Sequence, residues 1–280
     1  MKGIQRFLGT RKAVEVGSLF FPGAILAFGI EHFLFAGTAA DAMYPWVPGS
    51  PAWNYAFGAL LVSVSVSIGI KKRGPLAAGL LGTTLGLYAL LLYGPRVAAH
   101  LHDPGPWTRV FGIGSPLAAA CELLAMSGAA WVLAGGRAEN RRGFPARDME
   151  KMERLGRLLF AAPMVVFGVQ HFLYPAFLAT LIPSWIPWPS FWEDVVGVAF
   201  IAAAVSIATN KAAHLAALLL GAMFGLFVLV LHVPRVVEAV RSLDEWESAF
   251  VAVAMSGGAF VVAEASSARR RSAVKTRITA

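Results

Sequence analysis

Eight long apolar runs divide this chain of 280 residues into segments of membrane-spanning length. A helix needs about 20 apolar residues to cross the hydrocarbon core, where its backbone must satisfy its own hydrogen bonds. The runs cover residues 16–35, 53–70, 76–93, 112–134, 155–173, 191–208, 212–233 and 247–263. The chain is 57% hydrophobic and 14% charged, whereas soluble domains are about 45–50% apolar and about 25% charged. The sequence therefore predicts an all-α membrane protein with eight transmembrane helices in a lipid bilayer.

The second half of the chain repeats the first at an offset of 139 residues. Phe28–Phe33 reads Phe-Gly-Ile-Glu-His-Phe, and Phe167–Phe172 reads Phe-Gly-Val-Gln-His-Phe. Further pairs at this offset are Trp46 with Trp185, Trp53 with Trp192, and Pro95-Arg96 with Pro234-Arg235. Nearer the end the offset falls to 129, so that Met126–Gly128 matches Met255–Gly257, which indicates one shortened loop. We therefore predict two tandem four-helix bundle repeats.

The predicted organisation follows from the runs and the charges between them. It comprises a basic head at 1–15, a first repeat at 16–136, a cytoplasmic linker at 137–154, a second repeat at 155–264 and a basic tail at 265–280. Proline is expected to end two of the spans, with Gly94-Pro95 stopping the third and a loop starting at Pro234. An even number of helices per half makes the repeats parallel, and both start on the same side.

Basic residues assign that side. Of the 24 lysines and arginines, 20 lie in the head, the linker, the tail and the turns after the second and sixth spans. The positive-inside rule then places both termini in the cytoplasm, in the cell membrane of a bacterium. This distribution also accounts for the net charge of +8 without a nucleic-acid partner.

Polar residues at matched positions converge on the outer ends of the helices. With both termini inside, the ends of the first, third, fifth and seventh spans and the Trp-x-Pro loops form one layer near the outer surface. The candidate ligand-binding residues of this layer are Glu31, His32, Trp46, Tyr93, Arg96, Gln170, His171, Trp185, His232 and Arg235. Ionisable groups at membrane depth usually face a bundle interior or a wet cavity. Alternatively, the arginines and tryptophans only anchor the helix ends at the interface.

Glu122 is a further intramembrane charge, expected near the middle of the fourth span and without a matched partner in the second half. It either hydrogen-bonds in a neutral form or marks a proton or substrate path. Cys121 is the single cysteine, which excludes an intramolecular disulfide. No histidines are spaced three or four residues apart on a helix, so we predict no metal site and no haem, although His32, His171 and His232 lie at one depth.

Four short motifs carry a family resemblance. They are the Phe-Gly-x-x-His-Phe end of the first span, the Trp-x-Pro loop, the Leu-Leu-Gly of the third span and the Pro-Arg that follows it. In this order, and present twice, they resemble the DoxX/DoxD-like membrane family. The resemblance implies four-helix modules fused in tandem over 16–264, and an association with the DoxD subunit of a thiosulfate:quinone oxidoreductase and with membrane redox functions. The residues at the motif positions are His32, Arg96, His171 and Arg235.

Two functional hypotheses follow, and the sequence leaves open whether the chain is an enzyme. In the first, it is a redox-linked subunit that binds a quinone-like amphiphile near the outer face and works with a partner redox subunit. A histidine or tyrosine would hydrogen-bond the quinone carbonyl, and an arginine would stabilise negative charge. In the second, it is a non-enzymatic carrier, lipid-binding or scaffold protein, since no acid–base pair repeats in both halves.

Overall fold

The computed structural model describes residues 11–35, 51–70, 74–102, 112, 114–136 and 145–279. Over these residues the backbone is helical apart from short turns, and the described part of the chain contains no strand. The all-α prediction is therefore confirmed. Trp46 lies outside the described residues.

Eight of the described helices are long and apolar enough to cross a membrane, as predicted. We name them α1 to α8, with these bounds: α1 Lys12–Leu34, α2 Pro51–Gly69, α3 Gly74–His102, α4 Pro116–Gly136, α5 Arg147–Leu173, α6 Pro189–Ala208, α7 Ala213–Glu238 and α8 Leu243–Arg269. A short helix, Pro175–Ala179, lies between α5 and α6. Their number, length and composition make this an integral membrane protein.

The prediction that proline ends the third and seventh spans is wrong. Both helices widen into a π-helical turn before the proline, at Ala89–Tyr93 in α3 and Val228–His232 in α7, and then continue to His102 and Glu238. The amide of Gly94 donates to the carbonyl of Ala89, five residues back. This wider turn lets the helix pass the ring of Pro95, which has no N–H and would clash with a regular preceding turn.

Other helix ends also differ from the apolar runs. α4 begins at Pro116 rather than at 112, because Ser115 Oγ accepts a hydrogen bond from the amide of Ala118 (3.2 Å) and so caps the helix. The helix that contains α5 starts at Ala146, inside the expected linker, and α8 continues as a helix to Thr279. Glu, Lys and Arg also favour helix. A helix can therefore extend past the end of its apolar run into charged sequence.

The fourth helix of each half occupies the centre of the molecule. Consecutive helices pack as neighbours within each half, and α4 and α8 also contact each other. In addition α1 packs against α8, and α5 packs against α4. Each half therefore places its first helix against the fourth helix of the other half.

Glycines permit these crossed contacts at matched positions. A Cβ added to Gly128 of α4 would overlap the backbone nitrogen of Phe160 in α5, and one added to Gly257 of α8 would overlap that of Phe21 in α1. Gly128 and Gly257 are 129 residues apart, and Phe21 and Phe160 are 139 apart. At both crossed contacts, the first helix of one half thus approaches the fourth helix of the other to backbone contact, as small residues allow in membrane proteins.

Serines join the third and fourth helices at matched positions as well. Ser127 Oγ donates to the carbonyl of Gly82 (2.6 Å), and Ser256 Oγ donates to the carbonyl of Gly221 (2.8 Å). All four residues are buried. These hydrogen bonds satisfy the hydroxyl groups inside the bundle and fix the depth of α4 against α3 and of α8 against α7.

We expect Gly257→Ala to lower the free energy of unfolding by about 2 kcal/mol or more, because the new methyl group meets backbone that cannot move independently. The measurement is denaturant unfolding of the detergent-solubilised protein. Gly23→Ala is the matched control in α1, since nothing lies within 4 Å of its added Cβ, and it should change stability by less than about 1 kcal/mol. Equal effects of the two substitutions would contradict the close contact.

Candidate functional site

His32 and His171 lie at the ends of α1 and α5 in equivalent settings. Nδ1 of His32 donates to the carbonyl of Phe28, and Nδ1 of His171 donates to the carbonyl of Phe167, each at 2.8 Å. A carbonyl oxygen only accepts, so the hydrogen of each neutral ring is on Nδ1. Nε2 of each neutral ring therefore carries a lone pair, which can accept a proton or a hydrogen bond.

In the second half, Nε2 of His171 faces a buried carboxylate. It lies 3.7 Å from Oε2 of Glu193, in the first turns of α6, with side-chain exposures of 14% and 7%. This distance is longer than a hydrogen bond, and Glu193 Oε2 has no hydrogen-bond partner. The position that corresponds to Glu193 in the first half is Asn54, which is also buried. One half thus carries an imidazole beside a carboxylate where the other carries an amide.

Aromatic rings lie beneath each histidine. The centroid of the His171 ring is 5.4 Å from that of Phe200 in α6, which is 5.4 Å from that of Phe224 in α7. In the first half, the His32 ring is 5.1 Å from Phe57, and Phe57 stacks on Tyr88 at 5.0 Å. Each ladder connects the first three helices of its half, and the ring next to the histidine is tilted to it by 48° in the first half and 51° in the second.

His232 and Arg235 lie at the same end, at and just beyond the π-helical turn of α7. Nη2 of Arg235 donates to Oε1 of Glu245 at the start of α8 (2.8 Å). Nδ1 of His232 and Oε2 of Glu245 are buried and have no hydrogen-bond partner. Because unpartnered buried polar atoms are costly, a hydrogen bond from a polar ligand group or a water would stabilise these atoms and Glu193 Oε2.

Tyr93 and Arg96 hold the equivalent position in α3. The guanidinium carbon of Arg96 lies 5.6 Å from the centroid of the Tyr93 ring. Glu247 of α8 is within electrostatic reach of Tyr93, and also of Glu31 and Glu122. Glu122 is only partly buried and lies in the second turn of α4. The prediction that it falls near the middle of its span is therefore wrong, because α4 starts later than its apolar run.

The remaining candidates take different roles. Gln170 is buried, and its Nε2 donates to the carbonyl of Gly112 just before α4 (3.4 Å). Its counterpart Glu31 faces α8 instead, as the crossed packing requires. Trp185 is 72% exposed and contacts the surroundings rather than the bundle.

The structure brings the described candidates to one end of the bundle, but in two clusters. His32 packs within the first half and His171 within the second, and the central helices α4 and α8 join the two halves. Among the described residues, no group of three His, Cys, Asp or Glu side chains is placed to hold a metal ion.

Sequence reasoning missed Glu193, Glu245 and Glu247. A signal for Glu193 was present, because it directly follows Trp192, as Asn54 follows the matched Trp53. Asn54 is the second residue of its apolar run, and Glu193 is the third residue of its own. Glu245 and Glu247 precede or begin the last run and read as ordinary interfacial charges.

Comparison with known proteins adds one finding. A family model described as a domain of unknown function (DUF8561) matches residues 160–269, which span most of the second half. No curated protein and no solved structure matches the chain. The site is therefore interpreted from its own geometry.

A double-mutant cycle tests the His171–Glu193 contact. For His171→Gln and Glu193→Gln we expect a coupling free energy of about 1 kcal/mol or more, because both groups are buried and adjacent. The same cycle for Arg235→Gln and Glu245→Gln should give a smaller value, since the Arg235 side chain is 41% exposed. Denaturant unfolding measures both. Strictly additive effects at 171 and 193 would show that the two side chains act independently.

Proposed function

We propose that this chain is a DoxX-like, redox-linked membrane subunit that binds a quinone-like amphiphile at the end of α5, α6 and α7. The planar head group lies beside His171 and Glu193, with the aromatic ladder beneath it. The apolar tail extends along the helices into the bilayer. Both termini lie in the cytoplasm, so the head group binds near the outer surface.

The buried His171–Glu193 pair is the observation that supports this proposal best. A carboxylate and an imidazole taken out of water are costly unless they are paired or serve a function. Nε2 of His171 has a free lone pair, because Nδ1 is committed to the carbonyl of Phe167. Glu193 Oε2 has no hydrogen-bond partner. Together they offer two adjacent atoms that can accept or return a proton.

Proton exchange is what quinone chemistry requires of a protein. Oxidation of a quinol to a quinone releases two protons and two electrons. Nε2 of His171 and the carboxylate of Glu193 accept the protons from the quinol hydroxyls, and the electrons pass to a partner redox subunit. In the opposite direction the same groups return protons to the reduced oxygen atoms. Arg235, held by Glu245, adds positive charge at the same end of the bundle.

The first half lacks the carboxylate that the proposed proton exchange needs. Asn54 stands where Glu193 stands in the second half, and an amide does not titrate. We therefore expect His32→Gln to affect ligand binding less than His171→Gln.

The test measures the binding of short-chain analogues of ubiquinone and menaquinone to the purified protein in nanodiscs. A second measurement extracts the purified protein and identifies any quinone that co-purifies with it. His171→Gln and Glu193→Gln should each weaken binding at least about tenfold, as expected when a charged or strongly polar hydrogen bond is lost. His214→Gln is the control, because His214 donates to the carbonyl of Ala263 far from this site. The proposal would be rejected if no quinone co-purified with the wild-type protein, or if all variants bound the analogues with the same affinity.

One observation favours the non-enzymatic alternative of a lipid-binding protein. An apolar groove of about 190 Å³ opens between α3, α4 and α5, and its lining includes Leu76, Leu80, Trp131 and Met152. Such a groove suits an acyl chain. If the extract contains stoichiometric phospholipid but no quinone, this second function is the better account.

Reporter fusions test the proposed orientation. Alkaline phosphatase fused after Ala280 should be inactive and green fluorescent protein at the same point should fluoresce, because the positive-inside rule places this end in the cytoplasm. A phosphatase fusion within 180–187, between α5 and α6, should be active. The opposite pattern would place the His171 cluster on the cytoplasmic side.

A further inference from the structure

Charged side chains are buried at the other end of the second half, away from the proposed quinone site. Glu153 and Arg157 lie one turn apart on α5 and are 7% and 5% exposed. A buried guanidinium costs several kcal/mol of desolvation unless its partners compensate.

The partners of Arg157 satisfy it only in part. Its Nη1 donates to Oδ1 of Asn210 at 2.5 Å, and Asn210 adopts a left-handed conformation (φ 58°) in the turn between α6 and α7. Its Nε is buried and has no hydrogen-bond partner. The nearest carboxylate, Glu153, forms an ion pair with Arg269 of α8 at 2.9 Å.

The charge around Arg157 is therefore unbalanced. Among the described residues, the charged groups that act on Arg157 are Glu153, Arg154 and Arg269, which is one carboxylate against two further guanidinium groups. Arg269 and Arg154 both repel Arg157. A cluster with this excess of positive charge is stabilised when an anion binds.

The first half shows that the helix packing does not need these charges. The residues that correspond to Glu153 and Arg157 are Val14 and Ser18 of α1, both 5% exposed. Ser18 Oγ donates to the carbonyl of Glu15 (2.9 Å) and needs no other chain segment. The equivalent turn of α1 thus carries one apolar and one small polar residue in place of the two charged residues of α5.

We propose that Arg157 and Arg269 form a binding site for a phosphate group at this end of α5 and α8. A guanidinium presents its N–H groups as a fork that matches the oxygen atoms of a phosphate. Nε of Arg157 supplies an unused donor, and Arg269, 34% exposed, opens the cluster to the membrane surface. The phosphate belongs either to the head group of an anionic phospholipid or to a soluble phosphorylated molecule.

The experiment uses the full chain in phosphatidylcholine nanodiscs. One arm adds phosphatidylglycerol and detects bound lipid by native mass spectrometry. The other arm titrates inorganic phosphate by calorimetry. Arg157→Gln should weaken binding at least about tenfold, which corresponds to the loss of one charged hydrogen-bonded contact. Lys151→Gln is the control on the same helix, because this side chain is 66% exposed and pairs with Asp148 rather than with the Arg157 cluster.

Arg269→Gln is the second variant, at the more exposed edge of the cluster. Its binding of phosphatidylglycerol and phosphate decides the test if Arg157→Gln does not yield monodisperse protein. Binding of phosphatidylglycerol alone assigns the site to a lipid head group, and binding of inorganic phosphate assigns it to a soluble ligand; both outcomes support the site. Wild-type protein that binds neither, or variants that bind as tightly as wild type, would overturn it.

Discussion

The backbone contact between the first helix of one half and the fourth helix of the other is the constraint on which this structure depends. Between helices in lipid there is little hydrophobic driving force, so close packing and hydrogen bonds must hold them together. Gly128 and Gly257 allow that packing, and Ser127 and Ser256 fix the depth of the same two helices. With α4 and α8 held at the centre, α1 and α5 lie against them and carry their histidines to the same end of the molecule. The polar cluster of each half then forms where its histidine meets the aromatic rings of the second and third helices of the same half.

The two halves share their packing and differ in their charges. At matched positions the first half has Asn54 and Ser18, where the second half has Glu193 and Arg157. The second half therefore carries an imidazole–carboxylate pair at one end and a guanidinium cluster at the other. Since the first half folds around uncharged residues at these places, we attribute the buried charges of the second half to binding rather than to architecture. The two proposed sites occupy opposite ends of one bundle, and each can be tested independently of the other.

Much of the fold follows from the sequence because hydrocarbon imposes simple rules. An apolar run of sufficient length must be a helix, and eight such runs predicted the eight helices that are observed. Helix ends were harder to predict. Pro95 and Pro234 were expected to stop their helices, but a wider turn before each proline allows the helix to continue. Composition also gave no indication that α5 starts inside the charged linker.

The candidate site was easiest to predict where both halves carry the same residue. His32 and His171 stood out because the motif repeats, and their hydrogen bonds to the preceding turn are equivalent. Glu193 and Arg157 did not stand out, because the first half has a different residue at each matched position. The sequence also did not predict which helices contact each other across the two halves. A fourth helix can pack on its own half or on the other half with the same apolar pattern.

Disulfide cross-linking in native membranes tests the crossed packing most directly. In a Cys121→Ser background, Gly17→Cys is combined either with Phe260→Cys of α8 or with Trp131→Cys of α4, the matched position in the first half. An added Cβ at Gly17 lies 2.6 Å from the nearest ring atoms of Phe260, within reach of a disulfide. The account predicts rapid cross-linking with position 260 and none with position 131. Cross-linking with position 131 instead would show that each half forms its bundle alone, and would contradict the crossed packing of the first and fourth helices.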